Sequence, residues 1–250
     1  MPAVPNAQTV TILTKNTMSK YYRIVLSIIL AMTAKQSIAQ FHVIEKWHRC
    51  LGGTGSESSG THCIAHTIDG NYILAGSSQS NNGDVTVNKG GGDFWIVKLD
   101  TLGNILLQKS FGGSSSDAAG SVKQTSDKGY IIAGVSTSNN GDVTGHHGGT
   151  GLNGDFWIVK TDSAMNMEWQ KSFGGSDWEG ANSVHQLSDG NYIASGYTHS
   201  SDGDVTGLHG AYDYWILKLS ASGNIIWQKT LGGSSWEESS GILPTTDRGC

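Results

Sequence analysis

The apolar positions of this chain fall into short runs rather than helical stripes. Tyr130-Ile-Ile-Ala-Gly134 and Phe94-Trp-Ile-Val-Lys-Leu99 are rich in aliphatic and aromatic side chains and are bounded by Gly, Asn, Asp and Ser, the pattern of β-strands separated by turns. The runs recur at a fixed period. Leu/Phe-Gly-Gly triplets begin at Leu51, Phe111, Phe173 and Leu231, at spacings of 60, 62 and 58 residues. In the same frame, Asp-Phe-Trp-Ile-Val-Lys at Asp93 and Asp155 matches Asp-Tyr-Trp-Ile-Leu-Lys at Asp213. Ser-Asn-Asn-Gly-Asp-Val-Thr at Ser80 and Ser138 matches Ser-Ser-Asp-Gly-Asp-Val-Thr at Ser200. A period of this length points to a repeat architecture.

Each unit holds four candidate strands in two hairpins. The first hairpin turns at Asp127-Lys128-Gly129, with equivalents at Asp69-Gly70-Asn71 and Asp189-Gly190-Asn191, residues that tight turns demand. The second joins Phe94–Leu99 to Ile105–Ser110 through residues 100–104. The middle strands are apolar on both faces, as interior strands are. The last strand, as in Ile225-Ile-Trp-Gln-Lys-Thr230, mixes apolar and polar positions and suits an outer edge. The expected fold is all-β: a β-propeller-like array of four-stranded antiparallel blades, with three full repeats and two partial ones. A linear β-solenoid and a string of small β-sandwiches are the alternatives. Residues 41–51 align with the outermost strand that holds Trp169 or Trp227 and are expected to complete the last blade of a ring. At the other end Thr245–Cys250 aligns with Thr125–Tyr130, so the array is expected to be incomplete.

Composition narrows the class. Glycine makes up 35 of 250 residues and only 15% are charged, yet 8 Trp, 8 Tyr and 5 Phe are present, which excludes a disordered chain; the glycines also follow no collagen period. Residues 1–39 carry four Lys or Arg and no Asp or Glu. From Met18 they read as a secretory signal: Lys20 and Arg23, the apolar run Ile24–Ala34, and Ser37-Ile38-Ala39 before the cleavage point. That run is too short for the ~20 residues of a membrane span, so no transmembrane span is expected after cleavage. Residues 1–17 read as an upstream extension, 18–39 as the signal and 40–250 as the repeat domain. The mature chain would hold 12 basic and 21 acidic side chains, which argues against nucleic acid as a partner. Cys50, Cys63 and Cys250 are too few to staple a domain of this length, although a Cys50–Cys63 bridge is left open.

Over residues 41–250 the units resemble those of secreted and cell-surface repeat proteins of Bacteroidetes and some archaea. The resemblance rests on the Gly-Gly triplets, Ser-Val-Lys-Gln-Thr-Ser-Asp-Lys-Gly-Tyr-Ile from Ser121, Asp-Phe-Trp-Ile-Val-Lys-Leu-Asp from Asp93 and Gly-Asn-Ile-Ile-Trp-Gln-Lys from Gly223. It implies an extracellular or cell-surface, non-catalytic role; such arrays often precede a sorting domain for type IX secretion. Some members are labelled endoglucanase-like, which makes an accessory or catalytic part of a polysaccharide-degrading protein the alternative function. Thr125-x-Asp127-x-Gly129 is also similar to the Asp-box turn of sialidase-type propellers. The arginine triad of that family cannot be built from Arg49 and Arg248, the two arginines beyond the signal.

Candidate chemistry lies in the loops. Glu57, Asp117, Glu179 and Glu237 recur six positions after each triplet begins; a glycosidase pair should break the repeat, since chemistry happens once, so no catalytic residue is assigned. Asp84, Asp142, Asp202 and Asp204 sit in tight glycine loops of a kind that Ca²⁺ accepts, and equally of a kind that Asx turns build. Ca²⁺ is the one cofactor left open. Trp178 and Trp236 stand beside Glu179 and Glu237 where the other units have Ser56 and Ser116. An indole next to a carboxylate suits stacking on a sugar ring, and it equally suits packing between blades. These four residues are the candidate ligand-binding set, and the expected partner is an extracellular glycan or protein.

Overall fold

The computed structural model describes residues 47–148, 153–237 and 239–245. The proposed extension (1–17), the signal (18–39), residues 41–46 of the expected closing strand, and Cys250 lie outside the described residues. The architecture is all-β, as expected. Among the described residues the strands are β1 (Glu57–His66), β2 (Tyr72–Ser78), β3 (Asp93–Leu99), β4 (Ile105–Phe111), β5 (Asp117–Gln124), β6 (Tyr130–Ser136), β7 (Asp155–Thr161), β8 (Met167–Phe173), β9 (Glu179–Gln186), β10 (Tyr192–Thr198), β11 (Asp213–Leu219) and β12 (Ile225–Leu231). They form three antiparallel four-stranded blades, β1–β4, β5–β8 and β9–β12, each paired in chain order from an inner to an outer strand. The fold is propeller-like.

Inner strands of neighbouring blades come together along one line. His62 of β1 pairs in parallel with Ser121 of β5, and the backbones approach so closely that a Cβ on Gly60 would overlap the Gly120 backbone. The cores lie between blades rather than within them. Phe94, Ile96, Ile132 and Trp157 pack the first interface; Phe156, Ile158, Trp215 and Leu217 pack the second. At each interface a β3-type phenylalanine meets the next blade's tryptophan, with ring centroids 4.5 Å apart for Phe94–Trp157 and 4.8 Å for Phe156–Trp215. Each buried tryptophan donates its indole N–H to a glutamine on the adjacent outer strand at 2.8 Å: Trp95 to Gln108, Trp157 to Gln170 and Trp215 to Gln228. The polar positions that mark the outer strand as an edge therefore also satisfy the deepest polar atoms of the core.

Residues 47–51 form no strand. Trp47 packs edge-on against Tyr72 of the first blade, as Trp169 packs against Tyr192 of the third, and its indole N–H donates to Thr101 O. Among the described residues no helix is long and apolar enough to cross a membrane. The open bridge between Cys50 and Cys63 is not formed, and both thiols are free. Cys50 lies in the segment that Arg49 ties to Gly103 O of the β3–β4 turn, whereas Cys63 belongs to the innermost strand.

Candidate functional site

The long loops after β2, β6 and β10 are shaped by their own polar side chains. In the first blade Ser80 Oγ, Asn82 Oδ1 and Asp84 Oδ2 accept the backbone N–H groups of Gly55, Thr54 and Gly52. Ser138, Asn140 and Asp142 do the same for Ser115, Ser114 and Gly112, and Ser200, Asp202 and Asp204 for Asp177, Ser176 and Gly174. The repeated Ser-Asn-Asn-Gly-Asp-Val-Thr string is thus a clamp on the Gly-Gly segment 23–32 residues before it. Its valine is a buried plug: Val85, Val143 and Val205 are all within the core. Asp84, Asp142, Asp202 and Asp204, the candidate Ca²⁺ ligands, each give an oxygen to backbone amides, and they are not gathered around one point. Among the described residues no group of three or more His, Cys, Asp or Glu side chains is arranged to hold a metal ion.

The recurring acids begin the inner strands and hold the same loops from beneath. Glu179 is fully buried; its carboxylate accepts from Gly175 N at 2.9 Å, Thr198 Oγ1 at 2.7 Å and Ser200 N at 3.1 Å. The expected ligand-binding role for Glu179 therefore gives way to a structural one, because no oxygen faces solvent. Asp117 is buried likewise, bonded to Gly113 N, Ser136 Oγ and Ser138 Oγ. Burial pushes the carboxyl groups of Asp117 and Glu179 above their ordinary range, against the pull of these donors. Burial also pushes Asp93 up to about 6, opposed by the hydrogen bond from Lys89 N and reinforced by the nearby Asp117 charge.

The other three candidates lie in an aromatic patch that belongs to the third blade. Trp236 is 76% exposed. Its ring lies 4.8 Å from that of Tyr212, which is 5.7 Å from Tyr197 and is stacked on His199 at 3.6 Å and 27°. Tyr197, Tyr212, Trp236 and Glu237 line an open cavity of about 330 Å³, at the lower end of small-molecule sites. Trp178 is half-buried and donates its indole N–H to Tyr197 Oη at 3.0 Å, so it props the patch instead of forming its open face. Glu237 accepts from Gly233 N and stands at the rim. A bridge between Tyr212 and Trp236 and the hydrogen bond from Glu237 N to Tyr212 O fix the two rings side by side through their backbones.

Tyr197, His199 and Tyr212 complete the patch beyond the residues singled out in the sequence. Their signal is departure from the repeat: the equivalent positions are Ser77 and Val135, Gln79 and Thr137, Gly92 and Gly154. The aromatic set thus occurs once, which is what a site requires and a scaffold does not. Compared with models of known protein families the chain matches none, and a comparison with curated proteins likewise finds no match.

Proposed function

We propose that this protein is a secreted or cell-surface module that binds a carbohydrate without catalysing a reaction on it, and that the patch of Tyr197, Tyr212 and Trp236 is where the sugar sits. The observation that carries the reading is the open, backbone-fixed pair Tyr212 and Trp236 with the Glu237 carboxylate at its edge. Aromatic faces offer the C–H face of a pyranose a flat apolar surface, and a rim carboxylate accepts from its hydroxyls. The secretory signal in the sequence and the resemblance to exported repeat proteins support an extracellular setting. The test is retardation in affinity gels cast with a panel of soluble polysaccharides. The parent should be slowed by at least one glycan, and Trp236→Ala or Tyr212→Ala should abolish the retardation at unchanged melting temperature. A parent that no glycan slows, or variants slowed as strongly as the parent, would sink the carbohydrate reading.

A further inference from the structure

A second arrangement, which shares only Glu237 with the aromatic face, recurs after each described blade. The first strand residue of each third strand, Asp93, Asp155 or Asp213, is fully buried. It faces the acid six positions after the next Leu/Phe-Gly-Gly triplet begins: Asp117, Glu179 or Glu237. The two carboxylates meet over the first glycine of the Gly-Gly pair. A Cβ on Gly112 would overlap both Asp93 Oδ1 and Asp117 Oδ2; a Cβ on Gly232 would overlap both Asp213 Oδ1 and Glu237 Oε2. The glycine is what leaves room between the two charges.

The hydrogen-bond accounting at these aspartates is asymmetric. Oδ2 is used: Asp93 accepts from Lys89 N at 2.7 Å, and Asp213 from His209 N and Nδ1 at 2.9 and 2.8 Å. Oδ1, the atom turned toward the partner acid, has no hydrogen-bond partner in Asp93, Asp213 or the middle junction's Asp155. A buried carboxylate oxygen left unpaired next to a second carboxylate is costly unless positive charge lies between them. The middle junction differs in what stands beside that oxygen. There the His146 side chain is buried and its Nδ1 stands 3.4 Å from Asp155 Oδ1, with neither atom hydrogen-bonded. At the equivalent positions the first and third blades have Asn88 and Leu208, and Lys89 is turned away to Asp142.

The geometry points to a divalent cation of the Ca²⁺ class held between Asp93 and Asp117 over Gly112, and a second between Asp213 and Glu237 over Gly232, with His146 taking that place at the junction between them. Two carboxylates match a doubly charged ion, and their all-oxygen donor set is that of a hard cation, whose remaining ligands can be backbone carbonyls and water. Ca²⁺ fits better than Mg²⁺, which demands near-ideal octahedral geometry and gives up its waters reluctantly. With only two charged ligands each, the sites belong with the weak extracellular class, at about 10⁻⁴–10⁻³ M. The first ion would rivet the first blade to the second, and the other would tie β11 to the segment that follows β12.

Equilibrium dialysis of the EDTA-stripped full chain against Ca²⁺, read by atomic absorption, tests this. The expected result is two ions per chain at 10 mM Ca²⁺, together with a rise in melting temperature. Asp93→Asn and Asp213→Asn keep the shape and remove one charge, and each should lower the stoichiometry to one. The reverse change, His146→Asn, should raise it to three, and this gain decides the matter even if an aspartate variant fails to fold. A parent that binds no Ca²⁺ and melts identically in Ca²⁺ and EDTA overturns the proposal, as does unchanged stoichiometry in the folded variants.

Discussion

Lys128 holds a backbone conformation that the other two blades give to glycine. Its φ is 71°, against 79° at Gly70 and 84° at Gly190. The left-handed region costs a side-chain-bearing residue about 1 kcal/mol, and the surrounding turn over-determines it. Gly129 N donates to Asp127 Oδ1, and Lys160 Nζ reaches Asp127 and Glu168, each at 2.8 Å. Burial alone would raise the Asp127 carboxyl; the Lys160 ammonium overcomes it and holds the group down at about 2. The glycine that follows cannot be exchanged with the lysine, since a Cβ at position 129 would strike Thr161 O. Lys128→Gly should therefore stabilise the protein by about 1 kcal/mol, seen as a higher urea midpoint at unchanged slope. A lower midpoint would show that the lysine stem stabilises the turn by more than its backbone strain costs.

At the scale of elements, the turn of one blade receives a side chain from the blade before it, and the two vary together. A Cβ on Gly103 would lie 2.7 Å from the Trp47 ring and one on Gly223 2.9 Å from the Trp169 ring. In the middle blade the glycine position holds Met165, buried at φ 60°, and the tryptophan position holds Leu107, packed in the same cluster. Large faces small at two turns, and medium faces medium at the third. Leu107→Trp alone should cost 1–3 kcal/mol by overpacking, and Met165→Gly alone about 2–5 kcal/mol from the cavity. The double variant should recover roughly 1–3 kcal/mol of their sum in a denaturation cycle; strict additivity would break the pairing. Much of this level was legible in the sequence. The strands, their order and the turns followed from apolar runs and Gly/Asn/Asp clusters, because those signals are local. The loop aspartates were not legible, since one residue type serves an Asx clamp and a cation alike, and the amide that decides between them lies about 30 residues away. Asp93 was hidden for a related reason: it opens an apolar run, and only the next blade reveals that it is buried against a second acid.

At the largest scale, the described residues form a row of blades whose stability resides in the interfaces, and one repeated position shows how much a neighbour contributes. Phe94 and Phe156 are 0% exposed because the following blade's tryptophan covers each. Tyr214 occupies the same place in the third blade and is 36% exposed, with no further blade against it among the described residues. Arrays of this kind gain stability from nearest-neighbour interfaces in addition to the units themselves. Phe156→Ala should then cost 3–5 kcal/mol, whereas Tyr214→Ala should cost 1 kcal/mol or less. The first variant should also split unfolding into two steps, since it weakens the contact between the second and third blades while leaving the Phe94–Trp157 pair intact. Guanidinium titrations followed by tryptophan fluorescence and by far-ultraviolet circular dichroism would separate the steps, as the two probes weight the blades differently. Equal costs for the two substitutions would mean that the Tyr214 flank is covered in solution as fully as the flank of Phe156, and the row of blades would then continue against a further surface.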